Sequence, residues 1–206
     1  RPLRRRAVMA CRKWMLTRFR GSDGLGAIFP PIIWSIVALR AMGCDGNSAE
    51  VAECWKQLDG LLEHPDDETI RVEPCRSPVW DTAIALRGLA EISTPSVDNS
   101  GSMNPAVDWL LAREVRFAGD WSRRVQAIPS GWCFEYANCY YPDVDDTAMV
   151  LIAFSTWLKQ QESCADSQEK ACVDIQGERI IHVKNAIRRG IQWMAAMQNS
   201  HGGWGA

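Results

Sequence analysis

The sequence has no apolar run of the roughly eighteen residues that a membrane-spanning helix requires, and its eight cysteines include no Cys-x-x-Cys pair. Cys11, Cys44, Cys54, Cys75, Cys133, Cys139, Cys164 and Cys172 are scattered without a regular framework, and no secretory signal precedes them. Reduced thiols on the cytosolic side are therefore expected. There is no His and Cys cluster at ligand spacing to suggest zinc. Charge of one sign is also lacking: a formal net charge of −2 and a pI near 6.0 argue against nucleic acid as the main partner. Convincing strand alternation is missing. The first residue is not Met and the sequence ends at a Gly-Trp-Gly stretch, so the chain is expected to be an internal piece of a longer protein.

What is present is apolar and helical. At 206 residues and 47% apolar content the chain can bury a real core in one or two domains. Helical periodicity with Gly and Pro punctuation predicts helices over Pro2–Phe19, Pro31–Met42, Ser48–Leu62, Pro78–Ile92, Asn104–Glu114, Asp145–Gln160 and Glu178–Met197. Arg1, Arg4, Arg5, Arg6, Arg12, Lys13, Arg18 and Arg20 make the first twenty residues basic. They read as a solvated face, with anionic lipid headgroups as the alternative. The stretch from Glu162 to Glu178 reads as a polar insertion between helices, and His64, His182 and His201 fall in turn or helix-surface contexts without evident chemistry.

Ten tryptophans point either to a repeat that uses Trp structurally or to a cavity lined with π faces. A repeat is visible. Trp14 runs to Gly24-Leu25-Gly26, Trp109 to Gly119-Asp120-Trp121, and Trp193 to Gly203-Trp204-Gly205, the first Gly lying ten positions after the Trp each time. This spacing predicts helical hairpins closed by a Gly turn whose aromatic plugs the helix end. Between Phe117 and Pro142 lies a long helix-poor stretch, and loops of that length in compact proteins are usually functional.

That loop ends in Tyr140-Tyr141-Pro142-Asp143-Val144-Asp145-Asp146-Thr147-Ala148, with three carboxylates in four residues where a helix begins. Pro142 stops any preceding helix, and an Asp can cap the next one. Two carboxylates about 5 Å apart at an effective dielectric of about 20 repel by roughly 3 kcal/mol, on the order of two pKa units. One acid of the cluster can then hold a proton near neutral pH, while the helix N-terminus favours the anions. Such a site can protonate a poor base and stabilise the resulting cation. Plain capping is the second reading. Metal binding through Asp143 and Asp146, three apart on a helical face, is the third.

The stretch Arg189-Gly190-Ile191-Gln192-Trp193-Met194-Ala195-Ala196-Met197-Gln198 with Gly203-Trp204 resembles the QW repeat of squalene–hopene and oxidosqualene cyclases, class II triterpene cyclases. Asp143-Val144-Asp145-Asp146-Thr147-Ala148 resembles their D-x-D-D-T-A protonation motif. Ser77-Pro78-Val79-Trp80-Asp81-Thr82, Gly24-Leu25-Gly26-Ala27-Ile28-Phe29-Pro30, and Gly119-Asp120-Trp121 leading through Gly131-Trp132 and Phe134 to Tyr140-Tyr141-Pro142 are similar to the bacterial squalene–hopene branch. The likeness covers nearly the whole chain. It implies an all-α architecture of two α/α barrels, residues 1–75 ending the inserted barrel and residues 76–206 beginning the catalytic one. It implies Asp145 as proton donor with Asp143 and Asp146 as its partners, and Trp80, Phe134 and Pro30 as substrate-binding positions; Tyr140 and Tyr141 join them as aromatic faces able to stabilise a cation. Squalene is the implied substrate and pentacyclic hopanoids are the products. No metal and no cofactor is implied.

The resemblance further implies a peripheral, monotopic protein on the cytoplasmic side of the bacterial inner membrane. An assisting histidine, the membrane-binding surface and the substrate entrance would lie outside these residues, so this piece alone is expected to be inactive. A homodimer remains open. Oxidosqualene cyclases have a single Asp followed by Cys-Thr-Ala, because an epoxide is the better base, so Asp145-Asp146 favours squalene. Class II diterpene cyclases share the acid motif but lack the dense QW pattern, and a non-catalytic helical repeat would have no reason to keep three acids. Four departures stand out: Glu114 replaces the repeat's Gln, the first copy has no Trp after its glycines, Phe29-Pro30 stands where some bacterial cyclases have Gln-Pro, and Cys133 replaces a small residue.

Overall fold

The computed structural model describes residues 2–19, 22, 27–64, 66, 68–93, 99–138, 140–165 and 173–205. Gly24, Leu25 and Gly26 of the first repeat, Cys139, Cys172 and the centre of the Glu162 to Glu178 stretch lie outside these residues. The described residues form seven α-helices and one two-stranded sheet, so the chain is all-α as expected. They divide into two compact units: residues 1–77 with 135–140, and residues 78–134 with 141–206.

The first unit holds α1 (Pro2–Phe19), α2 (Phe29–Ala41) and α3 (Ala49–Asp59). Its core joins Ile32, Leu39, Cys44, Val51, Cys54 and Leu61, with Met15, Leu16 and Phe19 of α1 packed against them. Helix α2 begins at Phe29, two residues before the expected start. Pro30 and Pro31 fit its first turn because the N–H groups they lack would have no intrahelical acceptor there. Helix α3 ends three residues early. The chain turns at Gly60 and Leu61 into β1 (Leu62–Glu63), which pairs antiparallel with β2 (Arg71–Val72). Alternation could not announce strands of two exposed residues each.

The basic α1 is not uniformly solvated. Arg12 donates to Glu50 at 2.8 Å. Arg18 is only 9% exposed, its guanidinium 4.5 Å from the Trp14 ring and 4.6 Å from the Tyr140 ring. The solvated-face reading therefore fails for Arg18, whose cation is held against two π faces.

The second unit is built from α4 (Pro78–Ile92), α5 (Ser100–Ala112), α6 (Val144–Ala165) and α7 (Val173–Met197). Val79, Ala83, Leu86 and Ala90 form a three-to-four-residue stripe on α4. It packs with Met103, Val107 and Leu110 of α5, Val150, Ala153, Phe154 and Trp157 of α6, and Val183 and Ala186 of α7. Helix α5 starts four residues before the expected Asn104, leaving Pro105 inside it. The missing bond falls one turn from the end, and the buried side chain of Met103 in that extra turn offsets part of the cost. Helices α6 and α7 both extend into the stretch read as an insertion.

The Gly turn expected after the last repeat is present. Trp204 Nε1 donates to the Met194 carbonyl at 2.7 Å, and Gln198 Nε2 to the Gly202 carbonyl at 2.7 Å, so the aromatic and the amide both hold the end of α7. Trp193 is buried and meets Trp121 of the preceding copy edge to face, centroids 6.0 Å apart. Arg113 lies over the Trp109 ring at 4.8 Å, one helical turn apart, as Arg18 does over Trp14.

Gly190 lets α7 approach α6: a Cβ there would lie 2.8 Å from Leu151 Cδ2. Gly190→Ala is expected to cost about 1–3 kcal/mol through overpacking, read as a lower urea midpoint of the complete protein. An unchanged midpoint would show that Leu151 repacks freely.

Candidate functional site

The acid stretch is shaped by the start of α6. Asp143 is its N-cap: Asp143 Oδ1 accepts the Asp145 N–H at 2.9 Å, and its carbonyl accepts the Thr147 N–H at 3.0 Å. This turn is held from outside by the segment before Phe134. Asp143 N–H donates to the Trp132 carbonyl at 2.7 Å, and Trp132 N–H donates to Thr147 Oγ1 at 2.9 Å. Trp132 is itself fixed. Its Nε1 donates to the Leu110 carbonyl at the end of α5 at 2.7 Å, and its ring meets Phe154 edge to face at 5.8 Å. Thr147 and Trp132 are fully buried, so these bonds are made away from water.

The three carboxylates thus fall into three environments. Asp143 is half-buried and spent on capping. Asp146 is buried, 2% exposed. Asp145 is exposed, and among the described residues its carboxylate has no hydrogen-bond partner. Both Asp145 and Asp146 sit in the first turn of α6, where the helix dipole stabilises negative charge by about 0.3–1 kcal/mol. Capping, one of the three readings of the cluster, is realised by Asp143. Among the described residues no group of three or more His, Cys, Asp or Glu is arranged to hold a metal ion.

The aromatic positions divide between the units. Trp80, Phe134 and Tyr141 belong to the second unit with the acids. Trp80 is half-buried in the first turn of α4, Phe134 is half-buried after the buried Cys133, and the exposed Tyr141 donates its hydroxyl to Asp120 Oδ2 at 3.0 Å. Pro30 and Tyr140 belong to the first unit. Pro30 is half-buried at the second position of α2. Tyr140 donates its hydroxyl to the Thr17 carbonyl at 2.9 Å and has Arg18 against its ring, so part of its π surface is already in use.

Reasoning from sequence named Thr147 and Gly131 only as members of motifs, without a role, and passed over Ser130. A hydroxyl four residues after a capping Asp was the available signal for Thr147. Gly131 has φ +110°, and a Cβ on it would lie 2.9 Å from Thr147 Oγ1 and 3.0 Å from Pro142 Cβ. Only glycine combines that backbone with that closeness. Gly131→Ala is expected to cost about 2–4 kcal/mol and to accelerate hydrogen–deuterium exchange in peptides spanning residues 131–147. Unchanged exchange would mean that this contact does not hold the acid turn.

Residues 76–206 match the family model of the squalene-hopene cyclase C-terminal domain, and residues 1–67 that of the squalene-hopene cyclase N-terminal domain. The chain is 33% identical over 211 residues to a squalene–hopene cyclase of Zymomonas mobilis. It is 35% identical over 211 residues to one of Schizosaccharomyces japonicus and 33% identical over 206 residues to one of Bradyrhizobium diazoefficiens. Each alignment covers 99% of this chain and 29%, 29% and 28% of the respective relative, so the chain spans under a third of their length. With both family models matched in order and the QW turn and acid motif formed, the chain belongs to the squalene–hopene cyclase family.

Proposed function

We propose that the complete protein cyclises squalene to pentacyclic hopanoids, with Asp145 delivering the proton that starts the reaction. The observation that carries this reading is the exposed Asp145 carboxyl group, with no hydrogen-bond partner among the described residues, beside the buried Asp146 on a helix start capped by Asp143. The π electrons of a terminal alkene take the Asp145 proton, leaving a tertiary carbocation. Each ring closure uses one further alkene and moves the cation along the chain. Loss of a proton or addition of water ends the sequence, so no cofactor or metal is required. An alkene is a very weak base, which is why the acid must be helped by its surroundings.

Trp80, Phe134, Tyr140 and Tyr141 are the aromatic faces assigned to the developing cations, each contributing about 2 kcal/mol or more when desolvated. An aromatic face does so without adding to the cation as water would. Pro30 completes the proposed substrate-binding set. Residues 1–75 are read as the C-terminal part of the inserted barrel and residues 76–206 as the N-terminal part of the catalytic barrel. The two matched segments, 1–67 and 76–206, support that division. Among the described residues no helix is long and apolar enough to cross a membrane. The reading is of a monotopic protein on the cytoplasmic face of the inner membrane, attached through parts outside this chain.

The test is an assay of the complete protein in detergent, with squalene and oxidosqualene in separate reactions and products read by gas chromatography–mass spectrometry. Hopene or hopanol from squalene is the expected result. Cyclisation of the epoxide alone would transfer the protein to the oxidosqualene branch. Residues 1–206 tested alone are expected to yield no product. Exposed apolar side chains on α2, including Trp34 at 68%, Ile33 and Val37, support their dependence on the rest of the protein.

A further inference from the structure

We propose that Glu114, acting with Ser130 and Arg189, is a positioning residue for the acid turn; the inference rests on Asp145 being the proton donor. Glu114 occupies the repeat position where the last copy has Gln198. Gln198 closes its own turn, bonding only four residues away to Gly202. Glu114 instead reaches across the second unit. Its side chain is 4% exposed and accepts Arg189 Nε at 2.9 Å on Oε1 and Arg189 Nη2 at 2.5 Å on Oε2. Oε1 also accepts the hydroxyl of the fully buried Ser130 at 2.7 Å, and Arg116 lies 3.6 Å from Oε2.

A carboxylate this deep is held by a bidentate guanidinium and a hydroxyl, the geometry in which a buried charge is both neutralised and oriented. The Glu114 carboxylate in turn keeps Arg189 above the usual arginine range. The consequence for the site runs through Ser130. Val115 N–H donates to the Gly131 carbonyl at 2.8 Å, so Glu114 and its neighbour grip residues 130 and 131 together. The next residue, Trp132, makes both bonds that hold the acid turn, to Thr147 Oγ1 and from Asp143 N–H. Asp143 then sets the Asp145 backbone. Exchanging the repeat's amide for a carboxylate therefore turns a local closure into a tie from α7 to the base of the proton donor. Misplacing a reacting group by about 1 Å can cost on the order of a hundredfold in rate, so slack in this tie should be felt in turnover.

The test uses the complete protein with whichever of squalene or its epoxide it cyclises, and compares Glu114→Gln, Ser130→Ala, Arg179→Ala and Asp145→Asn. Arg179 pairs with Asp108 at 2.6 Å and also ties α7 to α5, but it has no bond toward the acid turn, so it reports a purely structural tie. Expected for Glu114→Gln and Ser130→Ala is a kcat roughly tenfold lower or more per folded molecule, KM unchanged, with the double variant no worse than the poorer single one. Arg179→Ala should lower Tm and leave kcat alone. Should Glu114→Gln fail to fold, Ser130→Ala decides, because it leaves the Glu114–Arg189 pair in place. A kcat within about twofold of the parent's for Ser130→Ala, whatever its Tm, overturns the proposal. Turnover surviving in Asp145→Asn would instead remove the donor reading, an outcome separable from the other two variants.

Discussion

The second unit depends on one short antiparallel pairing, Trp132 against Asp143. Its two hydrogen bonds, one to a backbone carbonyl and one to the Thr147 hydroxyl, tie the long loop to the start of α6. Everything around the pairing narrows its freedom. Gly131 provides a left-handed backbone where no Cβ fits, the Trp132 indole is tied to the end of α5, and the Phe154 ring packs against it. Removal of water strengthens each bond and raises the cost of losing it.

The repeats supply the frame by a different device. A Trp with Arg one turn later occurs at Trp14 and Arg18 and again at Trp109 and Arg113, each cation over its ring. In the third copy Met197 takes the place of Arg and Trp193 is buried, with the turn closed by Trp204 and Gln198. The copies thus share spacing but divide their tasks: two display a cation–π face and one is sealed into the core. Arg179 and Arg189 then clamp α7 to the α5 region through Asp108 and Glu114.

Helix α1 and helix α4 were legible to the residue, because Pro at the start and a break in periodicity at the end mark their bounds. The cap at Asp143 and the QW turn were legible as well, since each closes between neighbours in sequence. What escaped is long-range. Pro105 inside α5 contradicts local propensity and is tolerated where Met103 packs. Arg18 looked like one more surface cation until two rings were seen beside it. Glu114 looked like a degenerate repeat position, because its partners stand 16 and 75 residues away. The three acids could be counted in sequence, but their division into cap, exposed acid and buried acid required the fold.

The proposed proton transfer draws on that division: an exposed acid beside a buried one, on a helix start capped by a third. The most direct measurement is cyclisation by the complete protein in heavy water, with product mass read by mass spectrometry for the parent and for Asp145→Asn. A proton drawn from this turn predicts a hopanoid carrying one deuterium at the first ring, and no product from the variant. Unlabelled product, or labelled product formed by Asp145→Asn at the parent's rate, would contradict Asp145 as the acid that begins the reaction.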